Sequence, residues 1–231
     1  MTLVQGERAF QNRQYDTAIG QLTAFLSEAR DQPETGRALY VRGMALALTD
    51  QRPQAYADLE RAARDARDPQ VAWRAQAVLG VMRFEDQEWA GAAQALGSAA
   101  SAMPAGPPLD AVLFRLGLCQ ERLGRWGEAQ TQYRRIVSQF TQGTYPGLAQ
   151  RRLDLKADHF AVQCGAFAQV QNASAQAAQL QRAGLPAQVQ RDVRGGATPY
   201  VVFVGRYATY AEAVDALARV RAIVPDAVIW P

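Results

Sequence analysis

Small and apolar residues recur at one interval through the first two thirds of the chain. Gly6, Gly43, Gly80 and Gly117 stand 37 residues apart. Each is followed in the same register by an alanine (Ala18, Ala55, Ala92, Ala129), then by Leu22, Leu59, Leu96 or Tyr133, and then by Phe25, Ala62, Ala99 or Ile136. Between glycine and alanine lies a polar break, Asn12-Arg13-Gln14, Thr49-Asp50-Gln51, Glu85-Asp86-Gln87 or Leu123-Gly124-Arg125, after which come Tyr15, Arg52, Trp89 and Trp126. Apolar residues on both sides of each break keep helical spacing. The pattern predicts a helical hairpin used four times, each copy exposing an apolar face that only its neighbour can cover. A final helix is expected to begin near Pro146, a residue suited to a first helical position, and to cap the stack.

After Asp158 the period changes from helical to alternating, which marks a domain boundary. Strands are expected at 160–167, 186–192, 200–207 and 227–230. Helices are expected at 172–183, ended by Gly184, and at 210–224, with a turn at Arg194-Gly195-Gly196. The order βαββαβ is that of a split-βαβ, ferredoxin-like sandwich with both helices on one face of an antiparallel sheet. If Phe160, Val162, Cys164, Val202 and Val204 face the helices, then Ala161, Gln163, Val201 and Phe203 lie on the uncovered face. The fold class is therefore multidomain α and α+β: an α-helical superhelix of four repeats plus a cap over residues 1–156, and a βαββαβ domain over 158–231.

Composition narrows the function. A length of 231 residues suits two ordinary domains. Apolar runs of only a few residues, as in Val201-Val202-Phe203-Val204, fall far short of the roughly 20 residues a membrane helix needs, so no membrane span is expected. The net charge of +3 is spread along faces of alternating sign, which argues against a nucleic-acid partner. One histidine, His159, and two distant cysteines, Cys119 and Cys164, make neither an ordinary zinc site nor a disulfide framework. With no nucleophile elbow or phosphate loop either, the chain reads as a non-enzyme without cofactor or metal.

The repeat pattern resembles the tetratricopeptide repeat, with prolines at 69, 104 and 146 after second helices and a period longer than that family's. The resemblance implies a concave surface lined by first helices that grips a protein partner, and Arg37, Tyr40, Met44, Arg74 and Phe84 are the expected contacts. Glu7, Met44, Val81 and Leu118 stand where the carboxylate-clamp version has Asn, so capture of a C-terminal carboxylate is not expected. Phe160-Ala161-Val162-Gln163-Cys164-Gly165-Ala166-Phe167 and Tyr200-Val201-Val202-Phe203-Val204-Gly205-Arg206-Tyr207 resemble the two half-motifs of the SPOR (sporulation-related) domain, and Cys164 stands where a cell-division member also has Cys. That resemblance implies binding of peptidoglycan, as denuded glycan strands, on the uncovered sheet face. Gln163, Phe167, Val201 and Phe203 are the expected site: an amide for sugar hydroxyls and amides, beside flat apolar surface. Val201 and Phe203 replace arginines usual in the family, which leaves open a second account: a pure protein-interaction scaffold whose sheet face contacts protein. The resemblance places the chain in the periplasm or cell envelope. The first residues show no export leader, and a cytoplasmic location is the alternative.

Overall fold

The computed structural model describes residues 2–28, 32–191 and 200–231; the turn expected at Arg194-Gly195-Gly196 lies outside them. Nine helices precede the first strand among these residues: α1 Leu3–Gln11, α2 Tyr15–Glu28, α3 Thr35–Leu48, α4 Arg52–Asp65, α5 Pro69–Glu85, α6 Trp89–Ala102, α7 Leu109–Arg122, α8 Trp126–Gln139 and α9 Thr144–Asp154. They are followed by β1 Phe160–Phe167, α10 Val170–Arg182, β2 Ala187–Arg191, β3 Tyr200–Tyr207, α11 Tyr210–Arg221 and β4 Val228–Trp230. Two compact units result: Met1–Cys119 with Gln139–Tyr145, and Gln120–Ser138 with Pro146–Pro231.

In the first unit the 37-residue register is a packing register. A Cβ added to Gly6, Gly43 or Gly80 would lie 2.5, 2.8 or 2.5 Å from the Cγ of Leu22, Leu59 or Leu96, so each first helix touches its second helix backbone-close at the glycine. The three leucines and Ala18, Ala55 and Ala92 are fully buried there. Each buried leucine contributes about 1.5–3 kcal/mol. The breaks share one geometry. Arg13, Asp50 and Gln87, all in the same phase, take the left-handed conformation at φ 59°, 59° and 61°. The next N–H then reaches back to close the first helix, from Gln14 to the Ala9 carbonyl (2.9 Å), Gln51 to Leu46 (2.8 Å) and Glu88 to Arg83 (2.8 Å).

The residue after each break opens the second helix. Tyr15 packs on Phe10 with ring centroids 5.6 Å apart, and Trp89 on Phe84 at 5.4 Å. Arg52, which interrupts the aromatic series, instead reaches the following repeat, 2.7 Å from an Asp86 carboxylate oxygen and donating to the Met82 carbonyl at 3.0 Å. The charge thus replaces a ring contact within a hairpin by a tether between hairpins.

In the second unit the sheet order is β2-β3-β1-β4, antiparallel throughout. Its core joins Val162, Cys164, Val202 and Val204 to Ala177 and Leu180 of α10 and Ala216 and Val220 of α11. Thr209 and Glu212 form a reciprocal capping box at the start of α11. Residues 120–138 and 146–156, assigned to the repeats from sequence, pack in this unit. Gly124 repeats the left-handed break at φ 74°, and a Cβ on it would lie 2.6 Å from the Ala208 carbonyl oxygen. The Arg122 guanidinium lies 3.6 Å over the Tyr210 ring. Trp126 packs on Phe160 at 4.8 Å, and Phe160 on Tyr210 at 5.6 Å. Burial lowers the pKa of Arg122 from its ordinary value, and the aromatic faces around it return part of the lost hydration. α9 begins at Thr144, which makes Pro146 its third residue rather than its first. The first-turn N–H groups have no helical acceptor, so proline costs nothing there.

Candidate functional site

Two glycines shape the sheet. Phe160, Val162 and Cys164 are buried with Val202 and Val204, as strict alternation predicts. The β1–β3 register shifts between Phe160 and Val162 and again between Gln163 and Gly165. These bulges reverse the parity at the strand ends. Phe167 consequently packs on the helix-side core, as does Tyr207. Phe167, expected at the glycan site, is therefore removed from the uncovered face by the bulge. A Cβ on Gly165 would lie 2.9 Å from the Phe167 ring and 3.0 Å from Gln176 Oε1, and one on Gly205, at φ 72°, would lie 2.3 Å from Cζ of the Tyr207 ring. The glycine of each half-motif is there to let its aromatic fold back over it.

The other face follows from the register. Gln188 pairs with Phe203, Phe203 with Gln163, and Gln163 with Val228, which gives one row across all four strands. Gln190, Val201 and Ala166 form a second row, and Ala161 pairs with Trp230. Ala161, Val201 and Phe203 form a small second core against which Trp230 packs, its ring 5.4 Å from Phe203. Val201 and Phe203 are only 6% and 8% exposed, so neither of these expected glycan contacts is open to solvent on this face. What this face offers to solvent is the exposed amides of Gln188 and Gln190, the half-buried Gln163 and Trp230, and Val228 at 49% exposure. Among the described residues none of the three amides has a hydrogen-bond partner. Gln188, Gln190 and Trp230 were missed from sequence. The first two were legible, because alternation along β2 places them opposite Val201 and Phe203.

At one end of this face Arg206 Nη2 lies 3.2 Å from both Asp158 carboxylate oxygens, and Asp158 also hydrogen-bonds His159 Nδ1. The hydrogen bond from His159, and then the Arg206 charge, hold the Asp158 carboxyl below its ordinary range. The His159 ring lies 5.8 Å from Trp230. Cys164 is buried, and burial pushes its thiol up to about 11, which leaves it protonated and unreactive at neutral pH.

In the first unit a groove of about 380 Å³ lies between α1, α3 and α5. Arg37, Tyr40, Met44 and Arg74 all line it, with Phe10 and Val71. Phe84 does not; its ring is engaged by Trp89 at the end of the helix. Arg37 is held by a two-toothed pair with Glu7, and the Asp68 carboxylate caps α5 through the Gln70 N–H at 2.8 Å. Arg74 lies 5.3 Å over the Trp73 ring, between this groove and a second of about 520 Å³ bounded by Trp73, Met103 and Pro104. Burial raises the Tyr40 pKa, and the charge of Arg74 opposes the rise.

The SPOR family model matches residues 156–230 and the tetratricopeptide repeat model residues 111–142. The C-terminal domain is a SPOR domain. Two solved structures share the fold: a MamA mutant, 24% identical over 65% of this chain and 76% of that one with a TM-score of 0.52, and a crystal structure of MamA, 20% identical over 65% and 81% with the same score. Those proteins are TPR-like, and at this identity the likeness is one of fold alone. No curated protein matches the chain in sequence. The SPOR and tetratricopeptide families are binding domains without catalytic roles, so their combination supports an adaptor.

Proposed function

We propose that the chain is a non-catalytic adaptor of the cell envelope: its SPOR domain binds peptidoglycan glycan strands on the face opposite α10 and α11, and its repeat groove takes a protein partner. The observation that carries this reading is the row that holds Gln163 and Gln188, amides without a hydrogen-bond partner among the described residues, with the Trp230 ring on the same face. A sugar chain presents hydroxyls and acetamido groups at its edges and C–H surface on its faces, and amides next to an indole meet both. The groove reading rests on Arg37, Tyr40, Met44 and Arg74 lining one cavity large enough for two or three side chains. No helix among the described residues is long and apolar enough to cross a membrane, and SPOR domains are typical of envelope proteins.

The rival reading, protein contact on the sheet face, draws on the exposed Val228. Co-sedimentation of the full chain with purified sacculi, intact and amidase-treated, separates the two. The adaptor reading expects retention that rises after amidase treatment and falls with Gln163→Ala and Trp230→Ala. No retention on either preparation leaves the protein scaffold.

A further inference from the structure

Charge on the sheet face limits what the face can read. On the described strand positions that the register assigns to it, the side chains are amides, aliphatic groups and two aromatic rings. Among the described residues the cation on this face is Arg206, which alternates with the inward Tyr207 and is exposed, and whose Nη2 lies 3.2 Å from both Asp158 oxygens. Asp158 in turn is shared with His159. Among the described residues, the side chains of this face that can donate and accept at once are Gln163, Gln188 and Gln190. An acetamido group is the same functional group and pairs with such an amide in both senses. A carboxylate only accepts, and is best met by an uncommitted guanidinium, whereas Arg206 already gives its Nη2 to Asp158.

Resting on the glycan reading above, we infer that this SPOR face recognises the uncharged acetamido-sugar repeat of a glycan and not the lactyl carboxylates that amidase treatment exposes. Gln163, Gln188 and Gln190 pair with acetamido groups, and Trp230 stacks on a sugar face. Binding of this kind depends little on ionic strength, because salt screens charge pairs and leaves neutral hydrogen bonds and stacking in place. Asp158 acts as the neutraliser that keeps Arg206 out of the site.

The test uses the full chain and two probes: amidase-treated sacculi, and chitotetraose, an acetamido-sugar oligomer with no carboxylate, titrated by calorimetry. Sacculus retention is expected to change less than about twofold between about 50 mM and about 500 mM sodium chloride. Chitotetraose is expected to bind, and to lose its binding with Gln188→Ala while the fold, followed by circular dichroism, is unchanged. Asp158→Asn, which releases Arg206, is expected to make sacculus retention salt-sensitive without altering chitotetraose affinity. Retention on sacculi that collapses with salt in the unmodified chain, or sacculus binding with no chitotetraose binding, overturns the inference and leaves the glycan reading intact. Chitotetraose binding without sacculus retention keeps the inference and sinks the peptidoglycan reading, and failure of both probes removes the two together.

Discussion

At the residue scale, the left-handed position of each break explains more than its composition suggests. Arg13, Asp50 and Gln87 carry side chains at φ near 60°, where only Gly124 has the residue suited to it. Placing a side-chain-bearing residue there costs about 1–2 kcal/mol, and replacing it by glycine gives back about 0.4–1 kcal/mol of chain entropy to the unfolded state. Strain relief wins narrowly, so Gln87→Gly is expected to stabilise the chain by about 0.5 kcal/mol in urea denaturation. Gly124→Ala is expected to act in the opposite direction and harder, by more than about 2 kcal/mol, because a methyl there also meets the Ala208 carbonyl at 2.6 Å. Tyr56 supplies a pH signature. Its hydroxyl donates to Asp86 at 2.5 Å, and burial, with that bond second, pushes its pKa up to about 12 from an ordinary 10.0. The neutral phenol is favoured by folding, so its stabilisation is complete below pH 10 and lost as pH rises through 12. Tyr56→Phe is expected to flatten the decline in melting temperature over that window.

At the element scale, the second helix of the last repeat belongs energetically with the sheet. Arg122, Trp126, Phe160 and Tyr210 form one cluster, with the guanidinium 3.6 Å over the Tyr210 ring. A double-mutant cycle of Arg122→Ala and Tyr210→Ala is expected to show a coupling of about 1–2 kcal/mol, and a value near zero contradicts the stack. The hairpins, their breaks and all four strands were legible in the sequence, because 37-residue periodicity and alternation are direct imprints of burial. The association of residues 120–138 with the sheet was not: Arg122 and Trp126 sit at ordinary helical and break positions, and their partners lie 30 or more residues away. The last repeat-side helix, expected near Pro146, starts two residues before it, since a proline marks a first turn without fixing which of its positions it fills.

At the scale of the molecule, the candidate site was half legible. Gln163 and the outward parity of Val201 and Phe203 followed from alternation, whereas the packing of Phe203 against Trp230 needed the register of β4, a three-residue strand too short to phase from sequence. Phe167 was misassigned because a bulge at Cys164 and Gly165 inverts the strand beyond it, and a bulge leaves no mark in an apolar run other than a glycine. Among the groove residues, Arg37, Tyr40, Met44 and Arg74 converge and Phe84 does not, since its position at the end of α5 places it against Trp89. The central claim, that the face away from α10 and α11 is where glycan binds, is most directly tested by amide and side-chain NMR shifts of the full chain titrated with solubilised denuded glycan strands. The account predicts shifts concentrated at Gln163, Gln188, Gln190, Val228 and the Trp230 indole, with α10 and α11 unmoved. Shifts confined to the helices or to the groove around Tyr40, with the sheet face silent, would contradict it.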